Sequence, residues 1–453
     1  MFIKVTGMAA IITVVFMQSM AGADEVQVLR KEMEEMRKMY EVRMDAMQDQ
    51  IDSLRGEVSM AAETKPESTD KKRTGIDYVG RYNGMFGKGG VVIENESGTL
   101  GVTVGGYADI EYENFQNSTS NFDQHRFVLN LGAQIHDRLR FYSEYEIEHG
   151  GPDASGGGEA KIEQAWIDFL MTDWINARAG ALLVPFGRYN LYHDSDLNDL
   201  TDRPLVDRRV IPTTWTEAGA GFHGEFNPTL GSYEDLIVGY ETYMINGLNS
   251  NFSDRGLRGA RGSLSSDSNQ NKAVVGRVQI SPFMGHEVGV SGYYGEYDKS
   301  GHYISGGAVD WLSVFDVPFE NDFISLGDLE ILGEAAYFKI DEAAQANAPE
   351  HLGGFYVQAN MHFWFEALND TFLGEHFEDP TFTLVGRYGM AQIDDDSDIG
   401  DGKNNERRWT LGLNYRPVES WVFKMEYQWN DTDNEGLERG ENDGFMASAA
   451  MGF

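Results

Sequence analysis

The chain has 453 residues, no cysteine, and 73 Asp and Glu against 36 Lys and Arg, a formal net charge of −37. Without cysteine it forms no disulfide, no thiolate metal site, no CxxCH haem attachment and no lipoprotein anchor. So acidic a chain is also excluded as a nucleic-acid binder, which needs a basic face. Glycine is abundant at 52 residues, aromatics make up 12 % and prolines number only 11. That balance suits long strands and tight turns. The mean hydropathy of −0.42 does not exclude a membrane barrel, where only every second residue must be apolar.

Residues 1–23 read as a secretory signal. Lys4 supplies the positive start, Ala9 to Met17 is apolar apart from Thr13, and Ala21-Gly22-Ala23 is an A-x-A cleavage site. The apolar core is too short for a spanning helix, and no longer apolar run follows it. Residues 24–60 predict a helix with a heptad seam. Leu29, Met33, Met36, Tyr40, Met44, Met47, Ile51, Leu54 and Val58 follow steps of three and four, with one stutter. A lone helix cannot bury that seam, so a self-associating periplasmic coiled coil is expected. Residues 61–97 form a linker leading to the barrel, polar around Lys65-Pro66-Glu67-Ser68 and then rich in Gly and Tyr.

From residue 98 to 453 a period of two dominates. Leu100, Val102, Val104, Ala108 and Ile110 alternate with Thr103, Tyr107, Asp109 and Glu111. Phe127, Leu129, Leu131 and Ala133 alternate with Arg126, Asn130 and Gln134, and Leu139, Phe141 and Tyr145 with Arg140, Glu144 and Glu146. Weaker alternation recurs near 163–171, 174–188, 214–226, 235–246, 272–280, 287–297, 303–315, 329–340, 355–365, 381–393 and 407–415. It is strong again at Trp421, Phe423, Met425, Tyr427 and Trp429. The chain closes on Phe445, Ala447, Ala449, Met451 and Phe453 along one face, with Met446 out of pattern. Runs of about ten residues suit tilted membrane strands. Short connections such as 136–138 and 171–173 alternate with long polar ones such as 150–158, 189–213 and 247–271. The irregular turns near 318–327 and 366–380 leave the count open by two. The predicted fold is an all-β transmembrane β-barrel of about 16 antiparallel strands, with the coiled coil ahead of it. Both termini would be periplasmic and the long loops external.

Three segments resemble the phosphate-selective porin O and P family. They are Gly105-Gly106-Tyr107-Ala108-Asp109; Glu163-Gln164-Ala165-Trp166-Ile167-Asp168-Phe169 with Val184-Pro185-Phe186-Gly187-Arg188; and Arg203-Pro204-Leu205-Val206 with Ile211-Pro212-Thr213-Thr214-Trp215. The resemblance covers residues 90 to 453 and is clearest between 160 and 225. It implies a trimeric outer-membrane pore whose third external loop folds into the lumen. The family name implies phosphate or pyrophosphate selectivity through lumenal Arg and Lys. This chain departs there, since its inward face is rich in Asp and Glu.

By alternation Asp109, Arg126, Arg140, Glu144, Asp168, Arg178, Arg188 and Glu217 point inward and are the expected pore-lining groups, because lumenal charge sets ion preference. The family places the constriction on the loop carrying Asp194, Asp196, Asp199, Asp202, Arg203, Asp207, Arg208 and Arg209. Its acids are expected to face the wall arginines Arg126, Arg140 and Arg178. Gly219-Ala220-Gly221-Phe222-His223-Gly224 matches GxGxxG, but no helix follows, so it reads as small residues in a barrel wall. Asp431 to Gly436 resembles a calcium loop lacking the final Glu, and Asp394, Asp395, Asp396 and Asp398 form another acidic loop; both read as solvated. No catalytic triad, cofactor or metal motif is read. The expected function is passive diffusion of ions or small hydrophilic solutes, without enzymatic activity. Expected partners are outer-membrane lipid, lipopolysaccharide and two further copies of the chain. The rivals are a structural tether to the cell wall and a scaffold around a periplasmic electron-transfer protein.

Overall fold

The computed structural model describes residues 76–82, 86, 88–95, 100–152, 158–228, 236–252, 256–267, 269–341, 349–394, 403–433 and 442–453. The expected signal, coiled coil and most of the linker lie outside the described residues. So do Asp395, Asp396 and Asp398 and most of the calcium-like loop.

Two short strands come first, β1 (Ile76–Tyr78) and β2 (Val91–Glu94). Sixteen barrel strands follow. They are β3 (Gly101–Phe115), β4 (Asn121–His136), β5 (Leu139–Glu148), β6 (Glu159–Leu170), β7 (Asn176–Leu183), β8 (Thr216–Phe226), β9 (Ile237–Ile245) and β10 (Ala273–Phe283). Then come β11 (His286–Glu296), β12 (Tyr303–Glu320), β13 (Ile324–Ile340), β14 (His351–Phe365), β15 (Thr381–Asp394), β16 (Lys403–Val418), β17 (Trp421–Thr432) and β18 (Gly444–Gly452). Each pairs antiparallel with the next, and β18 pairs with β3, so the sheet closes. Closure matters because an open edge would leave backbone groups unpaired in lipid. Alternation decides the faces. On β4 Phe127, Leu129 and Leu131 are exposed outward while Arg126, Val128 and Asn130 are buried inward.

All sixteen strands expected from the alternation are present. The irregular turns keep the parity. Asn321 Oδ1 accepts the backbone N–H groups of Phe323 and Ile324 in a tight turn between β12 and β13. Pro318 sits in a register shift between Asp316 and Phe319, where its missing N–H costs little. One boundary needs correction. The strand expected to run to Arg188 ends at Leu183, because Pro185 cannot donate to a ladder and Gly187 turns the chain inward at φ 76°.

The seam has its own construction. β18 covers β3 from Phe115 down to Tyr107, and β2 takes over the same edge from Val104 to Gly101. Between them Phe453 exchanges both backbone hydrogen bonds with Gly106, at 2.9 and 3.0 Å. Here only glycine fits, since a Cβ on Gly105 would lie 2.2 Å from the Gly89 carbonyl oxygen and 2.9 Å from that of Phe453. Gly105→Ala is expected to lower the yield of closed barrel. Heat-modifiable mobility on unheated gels checks this, and a wild-type yield would refute it.

The lumen holds a core that alternation did not anticipate. At the long-loop end of β9–β15, Ile245, Val275, Tyr293, Ile304, Phe338, Leu352, Tyr356 and Ile393 all point inward and are buried. Against them pack Phe186, Leu205, Val206, Val210, Ile211 and Trp215 from the β7–β8 connection, with Leu248 and Leu257 from the next long loop. Such strands are apolar on both faces, which explains their faint alternation.

Candidate functional site

The β7–β8 connection, residues 184–215, crosses the lumen. Its neck is pinned where Val184 donates to the Trp215 carbonyl at 2.9 Å. The Asn190 amide reinforces the neck, donating to Val184 O at 2.8 Å and accepting from Trp215 N at 2.8 Å. The loop contains one short helix, α1 (Leu205–Arg209), whose Leu205 and Val206 enter the apolar core. Arg188, expected on a strand, begins this loop; its guanidinium pairs with Glu287 of β11 and its backbone N–H donates to Glu334.

The loop's charges are satisfied by partners other than those expected. Asp194 and Asp196 meet Arg81, at 2.9 and 2.8 Å, and Asp194 also meets Lys88. Tyr82 donates its hydroxyl to Asp196. Asp199 accepts from Asn360, Asn414 and Arg416 at 2.8, 3.1 and 3.2 Å. Asp202 pairs with Arg208 and with Arg408 of β16. Burial alone would raise the Asp202 carboxyl, but Arg208, Arg408 and Arg387 hold it well below the usual carboxylate range. Arg203 donates to the Thr213 carbonyl, Arg209 pairs with Glu406, and buried Asp207 accepts from the Thr213 hydroxyl. Lys424 reaches the Ser195 carbonyl at 2.7 Å. The loop is thus tied to the wall from β11 to β17.

Arg126, Arg140 and Arg178 form no ion pair with the loop acids, because neighbouring wall groups already engage them, although Arg140 and Arg178 share a cavity with Asp196 and Asp199. Arg126 lies 3.1 Å from Glu146 and 3.4 Å from Glu148. Arg140 donates to Gln134. Arg178 forms a two-pronged pair with Asp168, at 2.7 and 2.9 Å, and covers the Trp166 ring at 3.8 Å. Glu144 accepts from Gln164, and Glu217 from Trp215 Nε1 and Gly262 N. Asp109, Arg126, Glu144, Glu146 and Glu163 are each at most 3 % exposed, so at their level the lumen is packed side chain to side chain.

A cavity of about 900 Å³ opens nearer the short turns. Arg140, Arg178, Arg416 and Lys88 line it together with Asp168, Asp196, Asp199, Glu241, Glu330 and Glu419. Tyr82, Tyr142, Trp166, Tyr192 and Tyr243 are among its other lining residues. Sequence reasoning missed two contributors. The segment before β2 enters the lumen, where Phe86 packs on Tyr142 and Trp166 at 5.5 and 5.9 Å. Its trace in the sequence is the Gly- and Tyr-rich composition, with Gly89 close to the Gly80 carbonyl. The other is His193, which meets Glu163 of β6 at 2.9 Å.

Comparison with known proteins agrees with this architecture. A protein of Aquifex aeolicus (strain VF5), named only as uncharacterized, is 27 % identical over 380 residues, 78 % of this chain and 80 % of its own. Among solved structures, OmpF of Salmonella typhi in complex with daunomycin aligns with a TM-score of 0.51 at 12 % identity. That alignment covers 80 % of this chain and 100 % of OmpF, and it establishes the fold alone. An anion-selective porin from Comamonas acidovorans aligns at a TM-score of 0.46 and 12 % identity, over 78 % of this chain and 99 % of that one. The family model described as phosphate-selective porin O and P matches residues 99–309. That stretch runs from the first barrel strand into the tenth, and over it the chain is similar to the phosphate-selective porin O and P family.

Proposed function

We propose that the protein is an outer-membrane porin for passive diffusion of ions or small hydrophilic solutes. The observation that carries this reading is a closed barrel, apolar outside, whose charged lumen holds a cavity of about 900 Å³ beside an inward loop. In this reading the long loops are external and the termini periplasmic. Three barrels associate in the membrane, helped by a periplasmic coiled coil over residues 24–60, and external carboxylates bridge to lipopolysaccharide through divalent cations. Asp109, Arg126, Arg140, Glu144, Asp168, Arg178 and Glu217 act as the lumenal wall and the loop from Asp194 to Arg209 as its narrowing.

The selectivity proposed is weakly cationic. Six carboxylates line the cavity against four Lys and Arg, and fixed lumenal charge sets ion preference. Purified protein in planar bilayers is expected to give stable open steps and a cation-side reversal potential in a salt gradient. Asp199→Asn with Glu241→Gln is expected to move that potential toward anions. An unmoved potential in a conducting variant would refute the selectivity. A second reading, a plugged barrel serving as an anchor, is favoured by the apolar core at the long-loop end. It requires electrical silence, and silence of folded, inserted protein would displace the porin reading.

A further inference from the structure

Near the long-loop ends of β3 and β4, the pairing slips. Asp109 lies opposite Arg126 but Glu111 lies opposite Asp123, so two steps on β3 match three on β4. The extra residue makes a β-bulge, a device that re-aims side chains. By strict alternation from Arg126, His125 would point to lipid. Instead its Nδ1 lies 2.7 Å from Glu111 Oε1 and 3.3 Å from Asp109 Oδ2. Gln124 secures the bulge by donating to the backbone carbonyls of Asp109 and Arg126.

One ligand atom from each of Asp109, Glu111 and His125 falls within 4.8 Å of the others, the only such three-residue set among the described residues. It is sheltered: the side chains are 1 %, 12 % and 21 % exposed. Asp109 adds an independent observation. Its Oδ1 is buried and has no hydrogen-bond partner. A buried carboxylate oxygen left so is costly, and a cation is one means of satisfying it.

We infer that Asp109, Glu111 and His125 form a lumenal site for a borderline divalent transition-metal ion such as Zn²⁺. One imidazole nitrogen and two carboxylate oxygens form a donor set that zinc accepts, whereas Ca²⁺ and Mg²⁺ prefer oxygen alone. Three protein ligands leave a coordination position for water or a passing solute. The neighbouring His149 hydrogen-bonds Asp123 at 2.8 Å and stays outside the set.

The test uses full-length protein in detergent and Zn²⁺ alone. Calorimetry is expected to show one equivalent bound per chain, lost in His125→Ala and in the near-isosteric Glu111→Gln, and kept in His149→Ala. Heat-modifiable mobility confirms that each variant has folded. In the wild type, Zn²⁺ is expected to protect His125 from diethyl pyrocarbonate, read by mass spectrometry, which needs no variant. Absence of binding and protection in the wild type, unchanged binding in a folded His125→Ala barrel, or lost binding in His149→Ala would each overturn the assignment.

Discussion

A chain in which residues 186–213 are replaced by a short Gly-Ser turn is expected to carry several times the current of the intact barrel. The bridge is short because Val184 and Trp215 are already hydrogen-bonded at the neck. The deletion removes α1, the loop carboxylates and the apolar residues that seal against β9–β15. Groups that held the loop, among them Glu334, Arg408 and Lys424, would then be hydrated instead of left buried and unpaired. The barrel should persist, since its strand ladder runs unbroken from β3 to β18 and back. Single-channel recording of heat-modifiable protein measures the effect. An unchanged step size in a folded barrel would show that the loop does not obstruct the path.

Arg81→Ala should have the next largest effect. Its guanidinium bridges Asp194 and Asp196, and all three side chains are at most 3 % exposed. Removing one member of a buried ion pair typically costs about 3–5 kcal/mol, mostly by leaving a charge stranded. The barrel does not depend on this contact, so the expected response is local. Lys88 alone would hold Asp194, and the segment before β2 should separate from the loop. Conductance should rise, and hydrogen exchange at residues 79–82 should quicken. Burial would raise the Asp194 carboxyl, but Lys88 and Arg81 hold it below the usual range. The sign follows: a lowered folded pKa stabilises fully above the ordinary carboxyl value of about 3.9 and is lost only as pH falls below it. The intact contact should therefore hold at neutral pH and loosen in strong acid. Arg81→Ala combined with Asp194→Asn and Asp196→Asn should recover part of the loss. Wild-type conductance and exchange in Arg81→Ala would show that the contact holds nothing in place.

The strands were legible because lipid outside and charge inside impose a period of two on nearly every residue. Trp421 to Trp429 needs nothing more. The faint alternation of β9–β15 also carried information: Phe338 and Tyr337 are both apolar neighbours because one faces the core and the other lipid. Read as a weak signal, it was the mark of a filled lumen. Charge pairing was not legible, because alternation gives the face of a residue but not its distance from a loop. Hence Arg126 pairs along its own wall, while Asp199 reaches Arg416, 217 positions away. His125 was hidden for a related reason, since a single extra residue on one strand reverses the face that counting assigns.

The apolar core makes the barrel eccentric. At the long-loop end, the side of β9–β15 is filled by apolar side chains, while the other side carries charge, with Glu146 buried and Lys161 partly exposed. Pointing inward is therefore not the same as meeting the solute. Phe338 and Tyr356 point inward yet belong to the interior of a folded unit, as in a soluble protein. Azimuth around the barrel, more than facing, separates residues that govern passage from residues that govern cohesion.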